Sequence, residues 1–439
     1  MLPLLVCWVL RLPFVWRGLL PVAVSPVVVS GVLMLLWMAC ALLWSDNAAR
    51  AVRELGYWRW VWLPAALWPV MHLRMWLVAG LCVGFALAHA AQVLDAITIA
   101  MGEPFFRHPP LPEPLSRVSG WWYQPATGGT MLACAVGLHV LPAMFARGRV
   151  RWVARAALAV SVLGVLATGT RGAMLGSLVV LVLAGLLRVW VCCSQSERGG
   201  SRAAAGSERW HERAGWKKGI FASGRAGATV GATVVVGVVA ASGVGAVVAL
   251  SPLGAQVLSR VVGGASELRA AWAGNVQSDM GGRVVALRAA VDAFASEPVR
   301  GIGLDEYHRF VRAFVAREGL AIDDWRVQML STAHNTPAHI AASMGVVGLA
   351  LWCVLCAAIA MGLYRNAWRH ALPRAGRLVG LRDALGSYQA APLGAFVTIM
   401  VMSGFDTLHL NSAPACLLAM LAAFAVRGVV ERKPCVRRG

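Results

Sequence analysis

The chain has 439 residues, of which 59% are apolar and only 14% charged, too few polar groups to clothe a soluble fold of this length. Its 40 Lys and Arg against 20 Asp and Glu give a formal charge of +20. In a soluble protein that excess would raise nucleic-acid binding, but here the basic residues fall mostly in short loops between apolar runs, the pattern of positive-inside topology. Apolar and polar residues do not alternate, which excludes a membrane β-barrel.

An apolar run of about 20 residues crosses the hydrocarbon as a helix, and such runs recur along the chain. The first, residues 1–16, is short and flanked by Arg11 and Arg17. Without a basic n-region or an A-x-A site it reads as an interfacial or spanning segment, not a cleaved signal. Leu19–Trp44 is long enough to cross. A Trp-rich run from Tyr57 to Met71 suits the headgroup belt, and Met75–Ala100 crosses again. The proline-broken stretch M-G-E-P-F-F-R-H-P-P-L-P-E-P-L-S-R reads as an aqueous loop. Ala126–Ala146, Trp152–Thr168 and Ala173–Cys193 are the next spans, with the basic R-G-R-V-R after the first and T-G-T-R-G turning between the other two.

Residues 194–227 are Ser/Gly/Ala-rich and basic, and read as a flexible cytoplasmic linker beside anionic lipid. Ala228–Leu250 crosses outward, Ile340–Tyr364 returns, Pro392–Leu408 goes out and Pro414–Val426 comes back. The fold class expected is an all-α polytopic membrane protein of about 10–12 transmembrane helices with one large, mainly helical periplasmic loop. Three regions follow: N-terminal transmembrane helices over 1–250, the outer loop over 251–338, and C-terminal transmembrane helices with a basic tail over 339–439. The ten cysteines are scattered, none between Ser251 and His339, so no disulfide framework is expected in that loop.

In the outer loop the acids nearly match the arginines, so it should fold. Val284, Leu287, Ala290, Val291 and Phe294 recur at helical spacing, as do Leu304, His308, Val311 and Val315. Two amphipathic helices joined at E-P-V-R-G-I-G are predicted.

Certain residues there suit a phosphate-bearing substrate. Arg171, in T-G-T-R-G, sits on the side where positive-inside topology disfavours arginine, and burying one near mid-membrane costs about 2.5–3.5 kcal/mol. An anionic partner would explain it, as would simple snorkelling to water. Arg283 and Arg288 are roughly 140° apart on a helix, so one of them faces elsewhere, with Asp292 an i+4 partner for Arg288. Arg283, read as first-turn, is the better phosphate ligand, because backbone N–H groups and the guanidinium fork act together there. His334, before Asn335 at the mouth of a span, is the candidate base, whose neighbouring arginines disfavour the charged ring. His339 lies on another face, so the pair lacks zinc-site spacing. Asp323-Asp324 reads as a solvated turn, and no metal site is expected.

The stretches T-G-T-R-G-A-M-L-G, R-V-V-A-L-R-A-A-V-D-A-F followed by P-V-R-G-I-G-L-D-E-Y, and H-N-T-P-A-H-I-A-A-S-M-G-V-V-G-L together resemble the O-antigen ligase superfamily, which includes O-antigen polymerases and protein O-oligosaccharyltransferases. The resemblance covers roughly residues 120–350. Departures are Y-Q-P-A-T at Tyr123–Thr127, where the family has an N-P-N-like stretch, and Ser343, where it often has an acid. The resemblance implies a multi-pass inner-membrane glycosyltransferase with its active site on the periplasmic side. It would take glycan from undecaprenyl pyrophosphate to lipid A–core oligosaccharide, without cofactor or metal. It also implies that Arg171 and Arg283 hold the pyrophosphate and that His334 is the catalytic base; Arg288, Asn335, Tyr307 and His339 are secondary candidates. A polymerase or a protein transferase is the alternative within the class. A lipid-linked-sugar transporter is the alternative outside it, for which internal repeats and mid-span ionisable residues are the expected signs.

Overall fold

The computed structural model of the chain describes residues 10, 20–61, 63–67, 74–101, 125–146, 148–207, 252–273, 276–320, 322, 327, 330–370 and 387–430. Among these residues all regular structure is helical. In chain order the helices are α1 (Pro26–Ala41), α2 (Ala48–Tyr57), α3 (Leu63–Leu67), α4 (Arg74–Ala100), α5 (Pro125–Phe145), α6 (Gly148–Thr168), α7 (Arg171–Ser207), α8 (Pro252–Trp272), α9 (Asp279–Ser296), α10 (Tyr307–Arg317), α11 (Thr336–His370), α12 (Ala391–Ser403) and α13 (Ser412–Val430). Among the described residues, five helices (α4, α5, α6, α7 and α11) are long and apolar enough to cross a membrane. Also among the described residues are three shorter apolar helices, Pro26–Ala41, Tyr388–Ser403 and Ala413–Val426. The protein is thus an all-α polytopic membrane protein. The runs expected at 1–16 and 228–250 lie outside the described residues, as does Asp323-Asp324.

Two compact units divide the chain: residues 1–180 with 261–439, and residues 181–260. Every candidate site residue lies in the first. In that unit α5 is the inner span, with 89% of its apolar window buried in protein against 28% for α4, α6 and α7. It packs on α6 and α12. Contact with α12 is backbone to backbone, since a Cβ on Gly137 would lie 2.5 Å from the Gly394 carbonyl oxygen. Small residues permit that approach, which dispersion rewards where lipid offers no hydrophobic driving force between helices.

Several expected boundaries move. The single span Leu19–Trp44 is broken before Pro26, where Ser25 caps α1 by accepting from the Val28 N–H at 3.4 Å and Pro26 takes the first turn. The Trp-rich run does not line a headgroup belt at Trp58 and Trp60. Both rings are buried, packed on one another and edge-on to Trp352. Residues 194–207, read as linker, continue α7 as helix, in keeping with the helix-forming alanines at 203–205.

Between α7 and α11 three helices are described where two were expected, α8 being the addition. α9 starts with Ser278 accepting from the Gly281 N–H at 3.0 Å. Of the residues at helical spacing Ala290 is inside, with Val285, Ala286, Ala289 and Ala293, whereas Leu287 and Val291 are exposed. α9 lies against α11 and α10, and an alanine face brings the backbones closer than leucine and valine would. On α10, Tyr307, Val311, Phe314 and Val315 complete this core.

The P-V-R-G-I-G turn docks on α11 where that helix is interrupted at Gly345 (φ 67°, ψ −168°). The interruption frees carbonyls that the turn then uses: the N–H groups of Ile302 and Gly303 donate to Ala342 and Ser343 at 2.9 and 3.0 Å, and Val346 N–H donates back to Pro298 at 2.8 Å. Gly301 and Gly345 are required there. Both have positive φ, and a Cβ would lie within 2.4 Å of Met344 N and 2.1 Å of Val299 O respectively.

Candidate active site

The turn at Gly404–Asp406, between α12 and the 3-10 segment Leu408–Leu410, is where the site is assembled. Asn335 caps α11: its Oδ1 accepts from Ala338 N–H at 2.9 Å while its Nδ2 donates to the Gly404 carbonyl at 3.0 Å. Thr336 Oγ1 donates to the Asp406 carbonyl at 2.9 Å and accepts from Leu408 N–H at 3.2 Å. Arg283 reaches in from α9 and donates to the Phe405 carbonyl at 2.6 Å. It lies just past the first turn of α9, which begins at Asp279, so it does not share the helix N-terminus as expected.

His334 immediately precedes this cap. It has φ 48°, a left-handed conformation that costs a non-glycine residue about 1–3 kcal/mol and clusters at functional positions. Its Nδ1 is 3.7 Å from Asp406 Oδ1, an ion-pair approach longer than a hydrogen bond. Nε2 is the ring nitrogen turned away from that carboxylate. Burial raises the Asp406 carboxyl, but His334, the Thr407 N–H at 2.7 Å and the charge of Arg283 together hold it below the ordinary carboxylate value. It is therefore an anion at neutral pH.

Arg171 opens α7. Gly172 beside it backs onto Phe405, where a Cβ would meet that ring's Cβ at 3.4 Å. The Arg171 guanidinium makes a two-point pair with Glu267 of α8, Nη1 to Oε2 at 3.1 Å and Nη2 to Oε1 at 3.0 Å. Both side chains are about one-third exposed.

The secondary candidates divide. Asn335 is in the site. Arg288 points elsewhere, 3.6 Å from Glu318; the expected Asp292 partner instead pairs with Arg317 at 2.8 Å, because α10 folds back beside α9. Tyr307 is buried and donates its hydroxyl to the Ala286 carbonyl. Burial pushes its phenol up, so it is a neutral strut. His339 is 3% exposed, with Nε2 3.6 Å from the buried Glu54 carboxylate and its ring beside Tyr307 and His409. Glu54 also accepts from the Asp305 N–H, tying α2 to the turn before α10. Burial, then His339, lowers His409 well below the usual histidine value. Among the described residues no group of three or more His, Cys, Asp and Glu is arranged to hold a metal ion.

Sequence reasoning missed Asp406 and Glu267. Asp406 fell inside the run read as the span Pro392–Leu408, and an acid in an apolar span is itself a signal of function. Glu267 was one acid among many in a charge-balanced loop, and nothing in its neighbours selects it.

A family model described as O-antigen ligase matches residues 200–353. The match takes in Arg283, His334, Asn335 and Glu267, whereas Arg171 and Asp406 lie outside it. A search of the curated proteins finds no match to the chain.

Proposed function

We propose, on the premise that the chain belongs to the O-antigen ligase superfamily, as the match over residues 200–353 supports, that it is a metal-independent inverting glycosyltransferase of lipopolysaccharide biosynthesis. Its donor is O-antigen glycan on undecaprenyl pyrophosphate, its acceptor is lipid A–core oligosaccharide, and its site faces the periplasm from the bacterial inner membrane. The outer loop, residues 251–338, supplies Arg283 and His334 to that site, and the regions on either side of it supply Arg171 and Asp406.

The observation that carries this reading is the meeting of His334, Asp406 and Arg283 on one turn, with Gly172, at the start of α7, packed against Phe405 of the same turn. Asp406 orients the imidazole through Nδ1, leaving Nε2 to accept the proton of an acceptor sugar hydroxyl. As that proton leaves, the hydroxyl oxygen bonds to the anomeric carbon of the donor, and the bond from that carbon to the diphosphate oxygen breaks. The electron pair departs on the diphosphate, whose growing charge Arg171 and Arg283 neutralise. A single displacement inverts the anomeric centre. The base and the counter-charges are all side chains of this chain, which is why no metal is invoked. General base catalysis contributes about 10²–10⁴-fold, so charge stabilisation must supply much of the rest.

The test is transfer by the purified full chain in lipid, with chelator present, from lipid-linked O-antigen to lipid A–core. A new glycan-bearing lipid A–core supports the reading. Lengthened lipid-linked glycan, or glycan on protein hydroxyls, would instead make the chain a polymerase or protein transferase. Donor movement across the bilayer without a new glycosidic bond would sink the enzyme reading.

A further inference from the structure

The site carries two acids, and they are disposed differently. Asp406 faces the imidazole of His334, with Arg283 near enough to lower its carboxyl. Glu267 offers both its oxygens to the fork of Arg171, at 3.0 and 3.1 Å. A two-point carboxylate is the closest mimic, among side chains, of two oxygens of a phosphate. The face of α8 that presents it is shaped for the guanidinium. Gly263 and Gly264 precede Glu267 by about one turn, and a Cβ at Gly264 would stand 3.1 Å from the Arg171 Cζ. The pair is one-third exposed, so water reaches it and exchange costs little. Arg283, by contrast, donates to a neutral carbonyl.

We propose that Glu267 is a resident stand-in for the donor's diphosphate: it occupies Arg171 while the site is empty, yields to the arriving diphosphate, and returns as the product leaves. The proposal rests on the assignment of Arg171 to the diphosphate made above. It supplies a step that chemistry demands. Transfer converts a glycosyl diphosphate diester into a diphosphate monoester with one more ionisable oxygen, so the leaving group binds its arginines more tightly than the donor did. A competing carboxylate on a neighbouring helix loosens that hold and opens a route for release.

The experiment uses the full chain in lipid nanodiscs with farnesyl diphosphate as the binding probe, followed by single- and multiple-turnover transfer. Glu267→Gln keeps the shape and removes the charge. It should bind farnesyl diphosphate about two- to fivefold more tightly, the scale of a partly exposed ion pair. Its single-turnover rate should be kept while its multiple-turnover rate falls by a similar factor. Glu267→Asp, which shortens the reach, should move both readouts in the same direction and serves if the glutamine variant folds poorly. Unchanged or weaker probe binding in the folded variants, or equal loss in both turnover regimes, would overturn the proposal and leave the pair a structural bridge. Arg171→Ala tests the premise separately: if it binds the probe as the unaltered chain does, the diphosphate assignment itself fails, whatever Glu267 does.

Discussion

Asp406 Oδ1 stands 3.7 Å from His334 Nδ1, joining the turn between the last two described apolar helices to the mouth of α11. Asp406→Asn removes the charge while keeping the carbonyl through which Thr336 holds the turn. Transfer should fall by about 10²- to 10⁴-fold, the range in which general-base groups act, with farnesyl diphosphate binding within a few-fold of the unaltered chain. Equal loss of binding and rate would mean that the turn, and not the acid–base pair, had been damaged.

The acid side of the pH profile tests Asp406. Asp406 has a folded value below its unfolded one. Its contribution to stability is therefore complete above the ordinary carboxylate range near 3.9 and is lost only as pH falls through its lower folded value. A fall in transfer rate between pH 5 and 8 cannot come from Asp406 losing its charge. Stability followed by thermal unfolding over that window should likewise not track Asp406. Loss of rate and of folded protein together, at the same pH, would contradict this.

His334→Ala should lose turnover and keep donor binding, because the diphosphate is assigned to arginines. His339→Ala should behave oppositely. It leaves the buried Glu54 carboxylate without its imidazole neighbour, so folded protein should be destabilised by about 1–3 kcal/mol, while the molecules that fold retain transfer. Normal transfer by the His334 variant would send the search for the base elsewhere.

Arg171→Ala and Arg283→Ala should each abolish transfer at unchanged membrane abundance, since neither side chain fills core. Lysine should rescue poorly, because a fork that grips two oxygens becomes a point charge. Near-normal transfer by either lysine variant would indicate simple interfacial anchoring.

Gly345→Ala should reduce folded protein sharply. A methyl group there meets the Val299 carbonyl oxygen at 2.1 Å and must adopt φ 67°, a combination costing more than about 2 kcal/mol. Gly319→Ala, with similar φ but open space, is the control, and equal abundance of the two variants would refute the docking role of the 301–303 turn.

The sequence by itself determined the membrane class, most of the described spans and the helical character of the segment after residue 252. Each of these depends on local composition: a run long and apolar enough to cross must pair its own backbone, and only a helix does so within one segment. Two residues of the motif stretches, Arg283 and His334, reach one turn at Phe405 and Asp406, and Gly172 of a third stretch packs on Phe405. Only the tertiary structure decided which faces are buried and which charges pair. Leu287 and Val291, which share a helical spacing with Ala290, are exposed because α9 is set against α10 and α11 through Val285, Ala286, Ala289 and Ala293. Trp58 and Trp60 moved the other way, drawn into an aromatic cluster by Trp352, almost three hundred residues on. Asp406 and Glu267 were unreadable as partners for the same reason, since a carboxylate's role is set by the cation that a distant helix brings to it, and no local pattern encodes that meeting.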